Sequence, residues 1–256
     1  MGQGNCRNRR VRMRLGKFYG VGIGPGDPEL LTIKAMRILG SVPLIFVPKA
    51  KITDEGMALQ ILLNSVVNKT GAQLQELVFP MSKDPAILKP AWTIARDAVL
   101  ESLRQGKDSA FITLGDTAIY STYMNLLAEL RAAEPSLEIE TVAGISSFSQ
   151  GAAMLNLSLC EKSERLAILP CLSDVEGMRA DLMRFDTVVL MKVGRRFTDL
   201  REMLRGMDLL PYSHLLLKMG SPGELISSNL DEVDPEKVSY MSLVIVRKAI
   251  SGSYGE

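Results

Sequence analysis

The chain contains one histidine, His214, in 256 residues. That scarcity excludes zinc sites built on a histidine pair and leaves a Ser-His-Asp or Cys-His device only one centre. His214 opens the apolar run His-Leu-Leu-Leu, which reads as a strand end rather than a catalyst. Cysteine is also sparse. Cys6, Cys160 and Cys171 form an odd, scattered set, which argues against a disulfide framework and for a reducing, cytoplasmic setting. No run of about 18 apolar residues occurs, so no membrane span is expected. Low-complexity tracts are absent too. The chemistry must come mainly from loops, a bound cofactor, or carboxylate and hydroxyl groups.

Acid is missing from residues 1–16, which hold Arg7, Arg9, Arg10, Arg12 and Arg14. The rest of the chain carries 25 basic and 29 acidic residues, a net charge of −4. A mildly acidic body is a poor nucleic-acid binder. The arginine-rich segment reads as a disordered tail rather than an RNA- or lipid-binding arm. It lacks the apolar stretch of a secretory signal, and Cys6 stands where a myristoylation site wants Ser or Thr.

From Lys17 onward, short apolar runs alternate with longer amphipathic ones. Strands are expected at 17–22, 42–47, 74–79, 109–114 and 137–142, then at 166–169, 187–192, 214–219 and 241–247. Several are near-continuous Val/Ile/Leu runs, the pattern of strands buried on both faces in parallel or mixed sheets. Helices are expected at 28–39, 55–67, 84–103, 119–132, 145–155 and 198–204. The alternation predicts an α/β architecture. The polar stretch Arg131-Ala-Ala-Glu-Pro-Ser136 marks the expected boundary between α/β domains at 17–136 and 137–250. Two such domains are expected to leave a cleft, with ligand sites at strand-to-helix turns.

Three turns carry the signal. The first, Val21-Gly-Ile-Gly-Pro-Gly-Asp-Pro-Glu-Leu30, has no Gly-Lys-Ser/Thr, so it is not a Walker A loop. It is not a dinucleotide fingerprint either, because after Gly22 and Gly24 the third glycine position falls on Asp27. Pro25 and Pro28 have no N–H to donate and Asp27 repels an anion, so a neutral or cationic ligand suits the loop. Asp27, Pro28 and Glu29 also read as N-cap, N1 and N2 of a helix. That series leaves Gly22, Gly24 and Gly26 unexplained; they imply a sharply turned backbone that something approaches closely.

The second turn, Thr113-Leu-Gly-Asp-Thr-Ala-Ile-Tyr-Ser-Thr-Tyr123, again ends a strand in Gly-Asp. Asp116 can cap the following helix or meet a ligand. The dense hydroxyls of Thr117, Tyr120, Ser121, Thr122 and Tyr123 suit a polar, uncharged moiety. In the third, Glu140-Thr-Val-Ala-Gly-Ile-Ser-Ser-Phe148, Ser146 and Ser147 either fill orphan N–H groups or contact a ligand.

These turns together resemble the tetrapyrrole (corrin and porphyrin) methyltransferase family, over about residues 18–248. Gly-Ile-Gly-Pro-Gly-Asp-Pro-Glu-Leu-Leu-Thr (22–32) is similar to its first signature. Residues 114–122 match its Gly-Asp-Pro loop with Thr117 for proline, and residues 142–148 its Val-Pro-Gly segment with Ala143 for proline. Ile119-Tyr-Ser-Thr-Tyr-Met124 and Leu190-Met-Lys-Val-Gly-Arg-Arg196 are most similar to the branch methylating carbon 20 of precorrin-2 or its cobalt chelate. Other tetrapyrrole C-methyltransferases of that pathway, and diphthine synthase within the same architecture, are the alternatives. A non-catalytic nucleotide-binding module is the rival from another class.

The resemblance implies two α/β domains with a cleft, a homodimer, no protein-bound metal, and S-adenosylmethionine converted to S-adenosylhomocysteine. It assigns cofactor contacts to Pro25, Gly115, Asp116, Thr117, Tyr120, Ser146, Ser147, Met191 and Gly220. Met191 equally reads as core at a strand end. It identifies no catalytic proton acceptor. A flat polycarboxylate substrate calls for basic groups at the rim of its pocket. Lys49, Lys192, Arg195 and Arg196 follow expected strand ends and are candidates, with solvated surface charge as the alternative.

Overall fold

The computed structural model describes residues 14–50, 56–65, 71–82, 84–171 and 174–248. The described residues divide into two compact units, one drawn from 14–23 and 31–144 and one from 24–30 and 145–248.

The first unit is built on β1 (Phe18–Gly22), β2 (Leu44–Lys49), β3 (Gln73–Val78), β4 (Ser109–Thr113) and β5 (Ile139–Val142). They form one sheet in the order β3-β2-β4-β1-β5, with every pairing parallel. Alternate residues of each strand go to opposite faces. Phe18, Phe46 and Phe111 join an aromatic-rich core under α3 (Pro85–Arg104) and α4 (Thr122–Ala133). Val21, Ile45, Val47 and Ile112 join an aliphatic core under α1 (Ile33–Leu39) and α2 (Met57–Asn64). This double burial is why the strands read as unbroken apolar runs.

The second unit has β6 (Leu166–Pro170), β7 (Thr187–Met191), β8 (Ser213–Leu217), β9 (Leu225–Ser227) and β10 (Ser242–Arg247). Its order is β6-β7-β10-β8-β9, parallel only between β6 and β7. One face, with Val188, Leu190, Leu215 and Val244, packs against α6 (Val175–Arg184) and α7 (Phe197–Gly206). The other, with Val189, Leu216 and Ile245, packs against Phe148 and Leu155 in and just after α5 (Ser147–Met154). No helix among the described residues is long and apolar enough to cross a membrane.

The structure corrects four expectations. The boundary does not follow Ser136. β5 pairs with β1, Gly20 opposite Thr141, and Val142 is buried in the aliphatic core, so the units part at Gly144 and Ile145. The polar Arg131–Ser136 stretch is the last turn of α4, through Ala133, and the start of the turn that returns the chain into its own sheet. Residues 1–13 of the expected tail, and residues 55, 66 and 67 of an expected helix, lie outside the described residues. Residues 14–16 belong to the fold: Gly16 N donates to Leu103 O at 2.8 Å, and a side chain there would strike the Lys107 carbonyl.

The expected helix from Pro28 is instead a 3-10 turn over Pro28–Leu30, followed by α1 capped by Thr32, whose Oγ1 accepts from Ala35 N at 3.1 Å. Likewise α4 begins at Thr122 under the Ser121 cap rather than at Ile119. Two elements are additional. α6 buries only Met178 and Leu182, too thin a stripe to show periodicity, and β9 is a three-residue edge strand.

Tyr123 is wholly buried across Gly20, with its hydroxyl 2.6 Å from Thr141 Oγ1 and its ring stacked with Phe111. A Cβ at Gly20 would overlap that ring. Gly20→Ala is therefore expected to destabilise the protein by about 1–3 kcal/mol in urea unfolding, the scale of overpacking. Tyr123→Leu in the Gly20→Ala background is expected to recover part of that loss.

Candidate functional site

In the first unit, Gly22 ends β1, while Gly115 and Gly144 each lie two residues beyond the ends of β4 and β5. A Cβ on Gly22 would lie 2.6 Å from Gly144 N and 2.8 Å from Gly115 O, and one on Gly144 would strike Gly115 O. These loops therefore touch backbone to backbone. Asp116 fastens them: its Oδ2 accepts from Gly144 N at 3.0 Å and its Oδ1 from Ala118 N at 2.8 Å. Asp116 thus ties two loops together instead of capping α4.

Two of the five expected ligand hydroxyls, those of Ser121 and Tyr123, are engaged internally. Ser121 Oγ caps α4 at Tyr123 N and lies 3.0 Å from Thr113 Oγ1. Tyr123 is held by Thr141, and burial pushes its phenol above the usual range. Thr117 is buried, whereas Tyr120 is exposed and held in the left-handed region at φ 49°. Glu140, which opens the third turn, pairs with Lys17 and Lys34, both at 2.7 Å. Those hydrogen bonds, Lys17's first, hold its carboxyl down to about 2.

In the second unit, the Gly24–Leu30 segment lies against the turn after β8. A side chain on Gly26 would strike the Met219 carbonyl, and one on Gly220 would come within 2.5 Å of Asp27 N. Asp27 does cap, its Oδ1 accepting from Glu29 N at 2.8 Å. In both units, then, the close approach that these glycines permit is between chain segments. Gly151 of α5 faces Leu216 and Met219, so the α5 face bearing Ser147 sits on the same turn. Ser146 is the N-cap of α5 but makes no side-chain cap bond; its hydroxyl lies 2.9 Å from Ser149 Oγ. Met191 is half-buried against the Leu216–Met219–Leu243 cluster, as a core residue would be.

Pro25, Ser146, Ser147, Met191 and Gly220 thus share one unit, and Gly115, Asp116, Thr117 and Tyr120 the other. Among the six described non-glycine residues held at positive φ, Lys192 and Lys218 immediately follow β7 and β8, and Tyr120 lies in the loop between β4 and α4. Two further features were not legible in the sequence: the Met219 carbonyl against Gly26, a long-range contact, and Gln150, whose burial on α5 no periodic pattern signals.

The basic candidates differ. Lys49 is nearly buried and paired with Glu76 at 2.8 Å across β2 and β3, which accounts for its charge. Lys192 lies 5.5 Å from the centre of the Tyr240 ring, while Arg195 is exposed and Arg196 half-buried. Burial pushes the Cys171 thiol up to about 11, which disfavours its thiolate, and Cys160 is exposed. His214 lies in β8 with Nδ1 2.8 Å from Ser228 Oγ, and burial lowers its pKa.

A family model for tetrapyrrole (corrin/porphyrin) methylases matches residues 17–226. The chain is 35% identical to a probable cobalt-precorrin-2 C(20)-methyltransferase of Methanocaldococcus jannaschii, over 91% of this chain and 96% of that one. It is 32% identical to the cobalt-precorrin-2 C(20)-methyltransferase of Salmonella typhimurium, over 91% and 97%. Among solved structures, uroporphyrin-III C-methyltransferase of Thermus thermophilus complexed with S-adenyl homocysteine shares the fold. Its TM-score is 0.60 at 23% identity, over 91% of this chain and 92% of that one. By the family match and by both relatives, this chain belongs to the tetrapyrrole (corrin/porphyrin) methylases.

Proposed function

We propose that this protein is an S-adenosylmethionine-dependent methyltransferase that places a methyl on carbon 20 of cobalt-bearing precorrin-2, in cobalamin biosynthesis. The carrying observation is the likeness to two cobalt-precorrin-2 C(20)-methyltransferases, each at least 32% identical and matched over nine-tenths of both chains. A cytoplasmic homodimer is part of the same proposal and rests on the family resemblance alone.

The residues present fit an adenosyl sulfonium better than a nucleoside triphosphate. Segments 22–30, 113–123 and 142–148 contain no Lys or Arg to meet phosphate. Pro25 and Pro28 cannot donate. Both oxygens of Asp116 already accept backbone N–H groups. A buried side-chain carbonyl, Gln150 Oε1, lacks a partner in the protein, which suits a ligand with N–H or O–H donors.

When bound, S-adenosylmethionine supplies a methyl already activated on sulfur, so the hard chemistry is the cofactor's. What this chain supplies is position. Its glycine-to-glycine contacts and the two bonds of Asp116 hold the loops after β1, β4 and β5 rigid. Holding donor and acceptor in line contributes about 7–11 kcal/mol. Lys192, Arg195 and Arg196, just after β7, are proposed to meet the substrate's carboxylates. Lys49 is not carried into that set, because Glu76 neutralises it.

The decisive assay offers metal-free and cobalt-bearing precorrin-2 side by side and locates the new methyl by NMR. Methylation of the cobalt form at carbon 20 is expected; a methyl at another carbon overturns the assignment. In calorimetry, S-adenosylhomocysteine is expected to bind and ATP to give no heat of binding. Arg195→Ala is expected to raise the tetrapyrrole KM about fivefold, the scale of one partly screened charge contact, with S-adenosylhomocysteine affinity unchanged.

A further inference from the structure

Gln150 is 8% exposed, and its Oε1 is buried with no hydrogen-bond partner. Burying a carbonyl without a partner forfeits its hydration and returns nothing, so such groups are rare and call for an explanation. The other buried, unpartnered polar side-chain atoms among the described residues are the hydroxyls of Ser102, Ser109 and Ser239 and Nε of Arg201. Ser102 lies near the end of α3, Ser109 opens β4 at the amino end of its strand, and Ser239 precedes β10. Arg201 already donates through Nη1 to the Leu230 and Val233 carbonyls. Only Gln150 lies on an element that also carries proposed cofactor contacts.

Its placement is specific. In α5, Gln150 and Gly151 follow Ser147 by three and four residues, so each of them neighbours Ser147 on the helix surface. Gly151 faces Leu216 and Met219. Met219 in turn closes over Gly26, and its neighbour Gly220 over Asp27. Ser147, Gly220 and the Pro25 loop therefore surround the same turn that Gly151 faces, inside one unit. Phe148 of the same helix, and the Leu216 and Met219 that face Gly151, belong to an apolar cluster.

We infer that Gln150 is a further cofactor contact, its side-chain carbonyl accepting a hydrogen bond from an N–H or O–H donor of the bound adenosyl cofactor. The inference rests on the S-adenosylmethionine reading above and adds to it a residue that the motifs do not mark. A side chain that waits for a ligand behaves differently from one that braces the fold. Replacing it by an apolar group of similar size removes an orphan acceptor from the ligand-free protein, so stability is kept or gained while affinity is lost.

The test uses the full-length chain with S-adenosylhomocysteine as the probe, comparing wild type with Gln150→Leu and Gln150→Met. Calorimetry is expected to show Kd raised about tenfold in both variants, the equivalent of one hydrogen bond. Thermal unfolding without ligand is expected to give a Tm equal to or above wild type, and the tetrapyrrole KM is expected to stay unchanged. Should one variant fail to fold, the other is read alone. A ligand-free Tm that falls in each folded variant overturns the inference, because it shows the amide already bonded within the protein. An unchanged Kd beside a wild type that binds overturns it too, leaving the S-adenosylmethionine reading intact. A wild type that does not bind S-adenosylhomocysteine overturns both.

Discussion

Backbone contact without intervening side chains governs the architecture at the strand ends. Gly22, Gly115 and Gly144 let the loops after three adjacent parallel strands touch, with Asp116 joining two of them through its carboxylate. Any L side chain at Gly22 or Gly144 would have to displace main chain, which cannot yield as a flexible side chain can. The same device recurs in the second unit, where Gly26 and Gly220 bring the Pro25 loop against the Met219 turn. The positions of Thr117, Tyr120 and Pro25 all follow from these contacts.

Much of the fold was legible because it follows from burial on two sides. A strand covered on both faces must be apolar throughout, and β1, β2, β4, β7, β8 and β10 were found on that ground. The features that escaped notice lack that signal. α6 buries two side chains, and β9 is short and half-buried. The boundary at 136 failed for another reason: a polar proline-bearing stretch marks a surface turn, and it does not say whether the next strand stays in its sheet. Only the pairing of β5 with β1 shows that.

The site was legible in its segments and less so in its roles. Gly22 and Gly26 were singled out as places of close approach, and what approaches is the chain itself. Hydroxyls at Ser121 and Tyr123 were read as ligand contacts but serve a cap and a core bond. Sequence shows which groups are available; it does not show which are already engaged. Gln150 is the converse case, since an ordinary residue in the sequence becomes conspicuous only when its burial and missing partner are seen together.

The short Gly24–Leu30 segment is grouped with the second unit although its neighbours on either side belong to the first. No single cut therefore separates the two units. As the chain leaves the ribosome, the first sheet can assemble while this segment still lacks the Met219 turn it packs against, made nearly two hundred residues later. The first signature loop of the family therefore reaches its final form only after the Met219 turn, far along the chain, has been made.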